Sequence, residues 1–409
     1  MTDKWQEPEG YARAGHGKWK RPPAQYDVFM DGEGVPVYRG VGVRRVQDLP
    51  MRPWARMGGN GTFIQLYGTE GIWGCYVVDI PAAGALHPER HMYEEIFFVV
   101  EGRGAVEIWT SDTSRRDVME WQPGSLFAIP LNTHHRLMNA TSSGPALLLA
   151  ATTAPMVFNL FANPDFVFNT PYVFTDRYDG SEDFLRPAPM EYEPDPFRGL
   201  AMVEASIIPD AVRIPLPLDN RRSPGFRRLE PHLAKNVFYQ WVGQHESGRY
   251  SKAHAHESAA VLVCIGGKGY TYAWPREIGT RPWETGQADK VVRQDYEPVG
   301  MVSAAPMGGQ WFHQHFGTAK EPLRLMAWFG PFGRGTGREP GRPGEQVLDK
   351  NAMDLNEGGS SIPYWDEDPF IRREYEALVR REEVEFRMDE SFYQRPLTPS
   401  LSPEGRGQR

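Results

Sequence analysis

The chain has two cysteines in 409 residues, Cys75 and Cys264, each set inside an apolar run. That is too few for a disulfide framework or a thiolate zinc site. It fits a reducing compartment, and the expected location is the cytoplasm. No apolar stretch approaches the ~18–20 residues that a membrane-spanning helix needs. The opening MTDKWQEPEG lacks the basic-then-apolar order of a secretion signal. Basic blocks are also missing: 45 Lys and Arg stand against 53 Asp and Glu, a net charge of −8. Nucleic acid and anionic membranes are therefore not expected as partners. What is abundant is glycine (42), proline (36) and tryptophan (12). Pro and Gly at this level without a short repeat can signal disorder. The aromatics and the Val/Ile/Phe runs point instead to a loop-rich, mostly β, enzyme-like protein with disordered ends.

The length predicts two or three domains. Residues 1–58 read as an N-terminal arm, polar and rich in Gly and Pro over its first forty positions. Residues 59–154 change texture: TFIQLYG, GIWGCYVVDI, EEIFFVVEG, AVEIW, LFAIP and ALLLAAT are short strand-like runs divided by turn residues. Residues 155–231 form an irregular bridge, and residues 232–332 return to strand texture with NVFYQWVG, AAVLVCIGG, GYTYAW and LRLMAWFG. In residues 333–394, a Gly/Pro/Arg loop precedes Asp368-Pro369, a helix N-cap followed by proline at the first helical position. Ile371, Tyr375, Leu378 and Val379 then mark the stripe of an amphipathic helix, expected to pack across the β units. Residues 395–409 are expected to be disordered. An offset of 165 residues carries His91, Gly102, Gly104 and Trp109 onto His256, Gly267, Gly269 and Trp274. Four identities at one offset, in the same strand-turn-strand texture, imply a duplicated β domain.

Eight of the 11 histidines fall in four short segments. In GALHPERHMYEEIFFVVEGRG, His87, Glu89, His91 and Glu95 share one parity, so a strand would face them the same way. Such a face is costly to bury unless something positive sits among the side chains, and a divalent metal meets that need. His134 and His135 follow about forty residues later behind a Pro-Leu-Asn turn. The second copy supplies His254 and His256 as an HxH pair, then His313 and His315.

These segments resemble the two signature motifs of the cupin superfamily, G(x)5HxH(x)3,4E(x)6G and G(x)5PxG(x)2H(x)3N, each present twice. The resemblance spans about Gly59 to Gly330. It implies an all-β bicupin of two double-stranded β-helix (jelly-roll) barrels, with the C-terminal amphipathic helix outside them. In the first copy, Glu89 stands where the first histidine is usual, followed by His91, Glu95 and Gly102. Gly124, Pro130, His135 and Asn139 match the second motif, with Asn132 at its usual glycine. In the second copy, Gly248, His254, His256 and Gly267 match, Ala260 replaces the glutamate, and the spacing selects His313 with His315 as the competing choice.

The implied metal sets are Glu89, His91, Glu95 and His135 in the first barrel, and His254, His256 and His313 in the second. Without Glu89, the first becomes a two-His-one-carboxylate set suited to non-haem Fe(II). The second resembles the three-His sites of Fe(II) dioxygenases, in which the metal serves as Lewis acid and template for a bidentate substrate and O2. Tyr250, Trp311, Phe312 and His315 are the candidate walls of a substrate pocket. Tyr93 and Glu89 are candidate catalytic groups of the first barrel, and Glu94 should point outward. The leading expectation is an Fe(II)-dependent dioxygenase acting on a small aromatic or enolisable substrate, with a homo-oligomer possible. The alternatives are a Mn(II)- or Fe(II)-dependent decarboxylase or lyase using the first barrel, in the manner of oxalate decarboxylase, or a non-catalytic small-molecule-binding bicupin.

Overall fold

The computed structural model describes residues 22–111, 114–185, 192–194, 200–220, 223–256, 260–306, 310–331 and 353–396. Most of the Gly/Pro/Arg loop and the segment from residue 397 onward, expected to be disordered, lie outside the described residues. The described chain forms two β barrels with the same strand order. In the first, strands run Gly59–Leu66, Gly74–Ile80, Ala146–Thr152, Glu95–Glu101, Leu126–Ile129 across one sheet. His134–Asn139, Gly104–Trp109 and Asp117–Trp121 make the facing sheet. In the second, the order is Arg227–Leu233, Tyr239–His245, Leu323–Gly330, Val261–Gly266, Met301–Ser303. Its facing sheet is Val292–Tyr296, Gly269–Pro275 and Trp311–Gly317.

Strand alternation fills the barrel interiors and the joint between them. Ile64, Val77, Phe98 and Leu149 of the first barrel belong to one apolar cluster with Val242, Val263, Met326 and Trp328 of the second. Cys75 lies in that cluster and Cys264 in another, and burial pushes both thiols up, the latter to about 12. Gly102 and Gly267, matched by the sequence offset, both take positive φ at equivalent hairpin turns. Asn132 has φ +56°, which explains its place at a motif position normally held by glycine: asparagine tolerates the left-handed region. Its side-chain amide also donates to the Thr170 and Tyr172 carbonyls.

The N-terminal region is not a loose arm where it is described. Helix α1 (Gln25–Gly32) packs on helix α2 (Ala154–Phe161), with the Phe29 and Phe158 rings stacked 4.3 Å apart. Val37–Gly40 then joins the first barrel's sheet beside Gly59–Leu66, and Gly42–Val43 joins the second barrel's sheet beside Met301–Ser303. The bridge contributes in the opposite direction: after helix α3 (Pro164–Asn169), Ile207–Ile208 pairs with Leu126–Ile129 of the first barrel. Both segments carry strand-forming residues too short to read as strands, and pairing with a distant edge decides their conformation.

Glu94 fixes the barrels to each other. Its parity turns it out of the first barrel, where its carboxylate accepts from the Val237 and Phe238 backbone N–H groups at 2.9 and 3.0 Å and pairs with Arg177 at 3.3 Å. The described C-terminal helix packs on the second barrel. Asp368 caps helix α4 (Pro369–Arg381), and its other oxygen accepts from Trp283 and Glu284 N–H. Ile371, Tyr375 and Val379 sit in a cluster with Tyr250, Tyr270 and Phe316. Beneath the helix, buried Glu367 accepts hydrogen bonds from Tyr250 and from Gln314. Burial pushes its carboxyl up to about 8 against those bonds. No helix among the described residues is long and apolar enough to cross a membrane.

Two outcomes follow. Glu94→Ala leaves the Val237 and Phe238 N–H groups without their acceptor and takes one partner from Arg177, and should cost about 3 kcal/mol in urea denaturation. Glu94→Gln, which keeps one acceptor, should cost less. Folded Glu367 holds a proton that the unfolded chain releases above its ordinary value of 4.5. Its stabilisation is complete below that value and is lost as pH rises through 8. Between about pH 5.5 and pH 8, the melting temperature of the native protein should therefore fall further than that of Glu367→Gln.

Candidate metal centres

Both barrels build their candidate centre on the same backbone device. In the second, His254 and His313 pair across a short antiparallel bridge, His254 N–H donating to the His313 carbonyl at 3.0 Å and the reverse at 2.9 Å. In the first, Glu89 and His135 do the same, both bonds being 2.9 Å. A second bridge matches likewise: Ala85 with Met138, and Tyr250 with Phe316. Glu89 and Ala85 map onto His254 and Tyr250 at the sequence offset of 165.

In the first barrel, ligand-type atoms of His91, Glu95 and His135 lie within 4.8 Å of one another. The His91 Nδ1 lies 2.8 Å from the Tyr93 carbonyl, and the His135 Nδ1 3.3 Å from that of Thr133. These contacts place the neutral-ring proton on Nδ1. Both Nε2 atoms then turn to one carboxylate oxygen, Glu95 Oε2, at 3.1 and 3.8 Å. Three acceptors facing one another in a buried site repel unless a cation lies between them. A proton on His91 satisfies one pair, whereas a divalent metal satisfies all three, so the donor set fits such an ion. Burial opposes charge on Glu95, but His91 and His135 hold its carboxyl below the usual range. Burial and His91 push His135 down to about 4, so its ring is neutral at neutral pH, as a ligand must be.

Glu89 does not join this set. Its carboxylate is taken by Arg56, whose guanidinium also pairs with Glu33 and lies over Trp54, Phe29 and Phe168. Arg56 is in the stretch that reads as an arm, so nothing local to Glu89 reveals its partner. The same pairing removes Glu89 as a free proton donor. Tyr93 stacks flat on His91, with ring centroids 3.7 Å apart, and burial holds its phenol well above its ordinary range. It props a candidate ligand and stays protonated. His87 is exposed, with Nδ1 3.0 Å from the Arg56 carbonyl, and His134 stacks on Trp109.

In the second barrel, His254, His256 and His313 bring one nitrogen each within 4.8 Å. His254 Nδ1 lies 3.1 Å from the Lys252 carbonyl. The HxH segment is gripped from both sides: opposite His313, the Ala255 N–H donates to the Ser360 carbonyl and the Ala253 carbonyl accepts from Ile362. The three imidazoles line a small cavity walled by Phe226, Trp241, Ala260, Leu262 and Phe329. Ala260 stands where Glu95 stands in the first copy. All ligand candidates here are neutral, so a bound ion would keep its full charge and open positions toward the cavity.

His315 also lines the cavity, with Nδ1 3.0 Å from the Tyr296 hydroxyl. The geometry groups His313 with the HxH pair and leaves His315 beside it. Three expected wall residues are elsewhere. Tyr250 points outward, hydrogen-bonded to Glu367 and Tyr393. Phe312 has the outward parity and packs beside Trp274 under the Arg276 guanidinium. Trp311, half-buried at the strand's start, is not part of the cavity lining. His245, at the end of Tyr239–His245, lines the cavity although sequence reading passed it over. Its parity with Trp241 was the available signal.

Residues 76–152 match the family model described as a cupin domain. No curated protein matches the chain. Among solved structures, the chain is similar to oxalate decarboxylase OxdC of Bacillus subtilis, at 12% identity and TM-score 0.43, over 70% of this chain and 76% of that one. It is also similar to vicilin of Solanum lycopersicum, at 11% identity and TM-score 0.42, over 71% and 85%. Neither likeness bears on the chemistry of this chain.

Each barrel's donor set predicts its own divalent ion, giving up to two per chain by elemental analysis. His256→Ala and His91→Ala should each remove about one ion and leave the other.

Proposed function

We propose that this chain, a two-barrel protein of the cupin superfamily, is a non-haem Fe(II)-dependent dioxygenase whose working site is the second barrel. The observation that carries the reading is the largely apolar cavity that His254, His256 and His313 line together. The exchange of a carboxylate for Ala260 supports it twice. The exchange leaves room beside the ligands and leaves the ion's charge undiminished for a substrate that arrives as an enolate or catecholate. Bound there, Fe(II) supplies the Lewis acidity and electron transfer to O2 that no side chain possesses.

The protein's own residues do the rest. His254 is held by the Lys252 carbonyl, and the two-sided strand pairing fixes the HxH segment. Phe226, Trp241, Leu262 and Phe329 exclude water and offer flat surfaces to a ring. His315, whose Nδ1 lies 3.0 Å from the Tyr296 hydroxyl, lines the cavity and is the imidazole placed to take the proton given up by an enol or catechol hydroxyl. His245 lines the same space and adds a polar group that can orient the substrate's remaining oxygen.

A second reading places a Mn(II)- or Fe(II)-dependent lyase in the first barrel. Its support is the convergence of His91, His135 and Glu95 on one point. Against it, Glu89 is engaged by Arg56 and cannot act as the free acid such a reaction needs.

Oxygen uptake by iron-loaded protein should appear with one of the catechol, enediol or β-diketone classes. It should fall at least about 100-fold in His256→Ala, the scale of losing a group the reaction requires. In His91→Ala it should persist. Activity that survives His256→Ala and dies with His91→Ala would transfer the function to the first barrel. Turnover without oxygen consumption would replace the oxygenase with a lyase.

A further inference from the structure

Three consecutive residues, Tyr93, Glu94 and Glu95, serve both barrels. Glu95 turns Oε2 to the His91 and His135 imidazoles, and its other oxygen accepts from the Tyr76 hydroxyl at 2.8 Å. Tyr93 lies flat on the His91 ring, and its carbonyl faces His91 Nδ1. Between them, Glu94 points the opposite way and holds the Val237 and Phe238 N–H groups, just ahead of the second barrel's strand Tyr239–His245. The Glu94 backbone is itself pinned: its N–H donates to the Thr153 hydroxyl at 2.9 Å and its carbonyl accepts from the Thr153 N–H at 3.1 Å. A movement of either neighbour therefore reaches Glu94 across one peptide bond.

The first centre is also enclosed. His91, Glu95 and His135 are buried, and so are Tyr76 and Tyr93, which touch two of them. From the N-terminal side, Arg56 pairs with Glu89, the bridge partner of His135, and lies over Phe168, whose ring meets Tyr93 edge-on. At the offset of 165, Tyr76 and Glu95 correspond to Trp241 and Ala260. A hydrogen-bonded pair thus stands where the second barrel has an aromatic wall and an alanine beside its cavity.

We propose that the divalent ion of the first barrel is structural and locks the joint between the barrels: by fixing His91 and Glu95 it fixes Glu94, and through Glu94 the entry to the strand that walls the second cavity. The proposal does not depend on which reaction the second barrel performs. Without an ion, the facing acceptors of His91, His135 and Glu95 repel, and the segment that carries two of them is free to relax. An ion ties residues 91 and 95 to His135 of another strand. An ion that binds only this ordered arrangement stabilises it by mass action, and with it every contact that must open together with it.

Zinc(II), redox-inert and diamagnetic, is the probe, and His256→Ala in the full chain confines it to the first barrel. Amide hydrogen exchange is compared between the metal-free and zinc-loaded forms of this one variant. Zinc should slow exchange of the Val237 and Phe238 N–H groups at least about tenfold. The Trp283 and Glu284 N–H groups, held by the Asp368 carboxylate beside helix α4, are the internal control and should slow less than about twofold. With Glu94→Ala added, zinc should still bind and the gain at Val237 and Phe238 should vanish; with the milder Glu94→Gln it should shrink. EDTA should strip zinc from the first centre at least about tenfold more slowly than from the second, the latter measured in His91→Ala. Zinc bound without a gain at Val237 and Phe238, an equal gain at Trp283 and Glu284, or a full gain in both Glu94 variants would each overturn the proposal. So would failure of His256→Ala to bind zinc, or equal rates of stripping from the two centres.

Discussion

A two-bond antiparallel bridge between a short irregular segment and the strand returning past it sets the geometry of both barrels. In the second, it joins His254 to His313 and in the first, Glu89 to His135. Once two residues are paired this way, strand alternation decides which neighbours point inward. His256 and His315 then face the same interior as His254 and His313, whereas Phe312 and Gln314 face out toward the C-terminal helix. A shift of one residue at the bridge would exchange the two sets, replacing a ring of nitrogens with a layer of aromatic rings. The bridge is also why the duplication persists as chemistry: the offset that matches the glycines also matches Glu89 to His254 and Ala85 to Tyr250, one side of each bridge.

From the same backbone, the two copies reach opposite electrostatic solutions. The first keeps a carboxylate, Glu95, among the imidazoles, lowering the net charge of a bound ion and filling the space beside it. It also carries a second acid at the bridge, and Arg56 draws that side chain away, so a site that would otherwise hold two buried carboxylates holds one. The second copy has a histidine at the bridge and alanine at the carboxylate position. Removing the acid trades charge compensation for volume, and that volume is the cavity. Arg56 and Ala260 are thus complementary means of limiting negative charge beside a metal.

The histidine clusters, their parity and the duplicated strand texture were legible because they are local: spacing along one segment fixes which side chains share a face. The capped helix at Asp368-Pro369 was legible for the same reason. What escaped depended on partners far along the chain. The pairing of Glu89 with Arg56 closes over 33 residues, and that of Tyr250 with Glu367 over 117. Phe312 is near the ligands in sequence, but odd and even positions of one strand face different environments, and Tyr250, of the ligands' own parity, is held outward by its distant partners Glu367 and Tyr393. His245 carried too little pattern to stand out, being one histidine at the end of an aromatic strand. The exchanged edge strands, Gly42–Val43 and Ile207–Ile208, are two residues each and acquire strand geometry only from the edge they meet.

Those exchanged edges bear on how the second site is held. Gly42–Val43 extends the sheet of the second barrel from the N-terminal side, and Ser360–Ile362 grips its HxH segment from the C-terminal side. Glu94 of the first barrel anchors Val237 and Phe238, which lead into the strand carrying Trp241 and His245. The cavity walls are therefore positioned by three regions outside the second barrel. An isolated second barrel would keep its histidines in sequence but lose the contacts that hold two of its wall segments in place. The first barrel thus has a mechanical role that does not depend on whether its own centre turns over a substrate, and this gives a physical reason for both copies to remain in one chain.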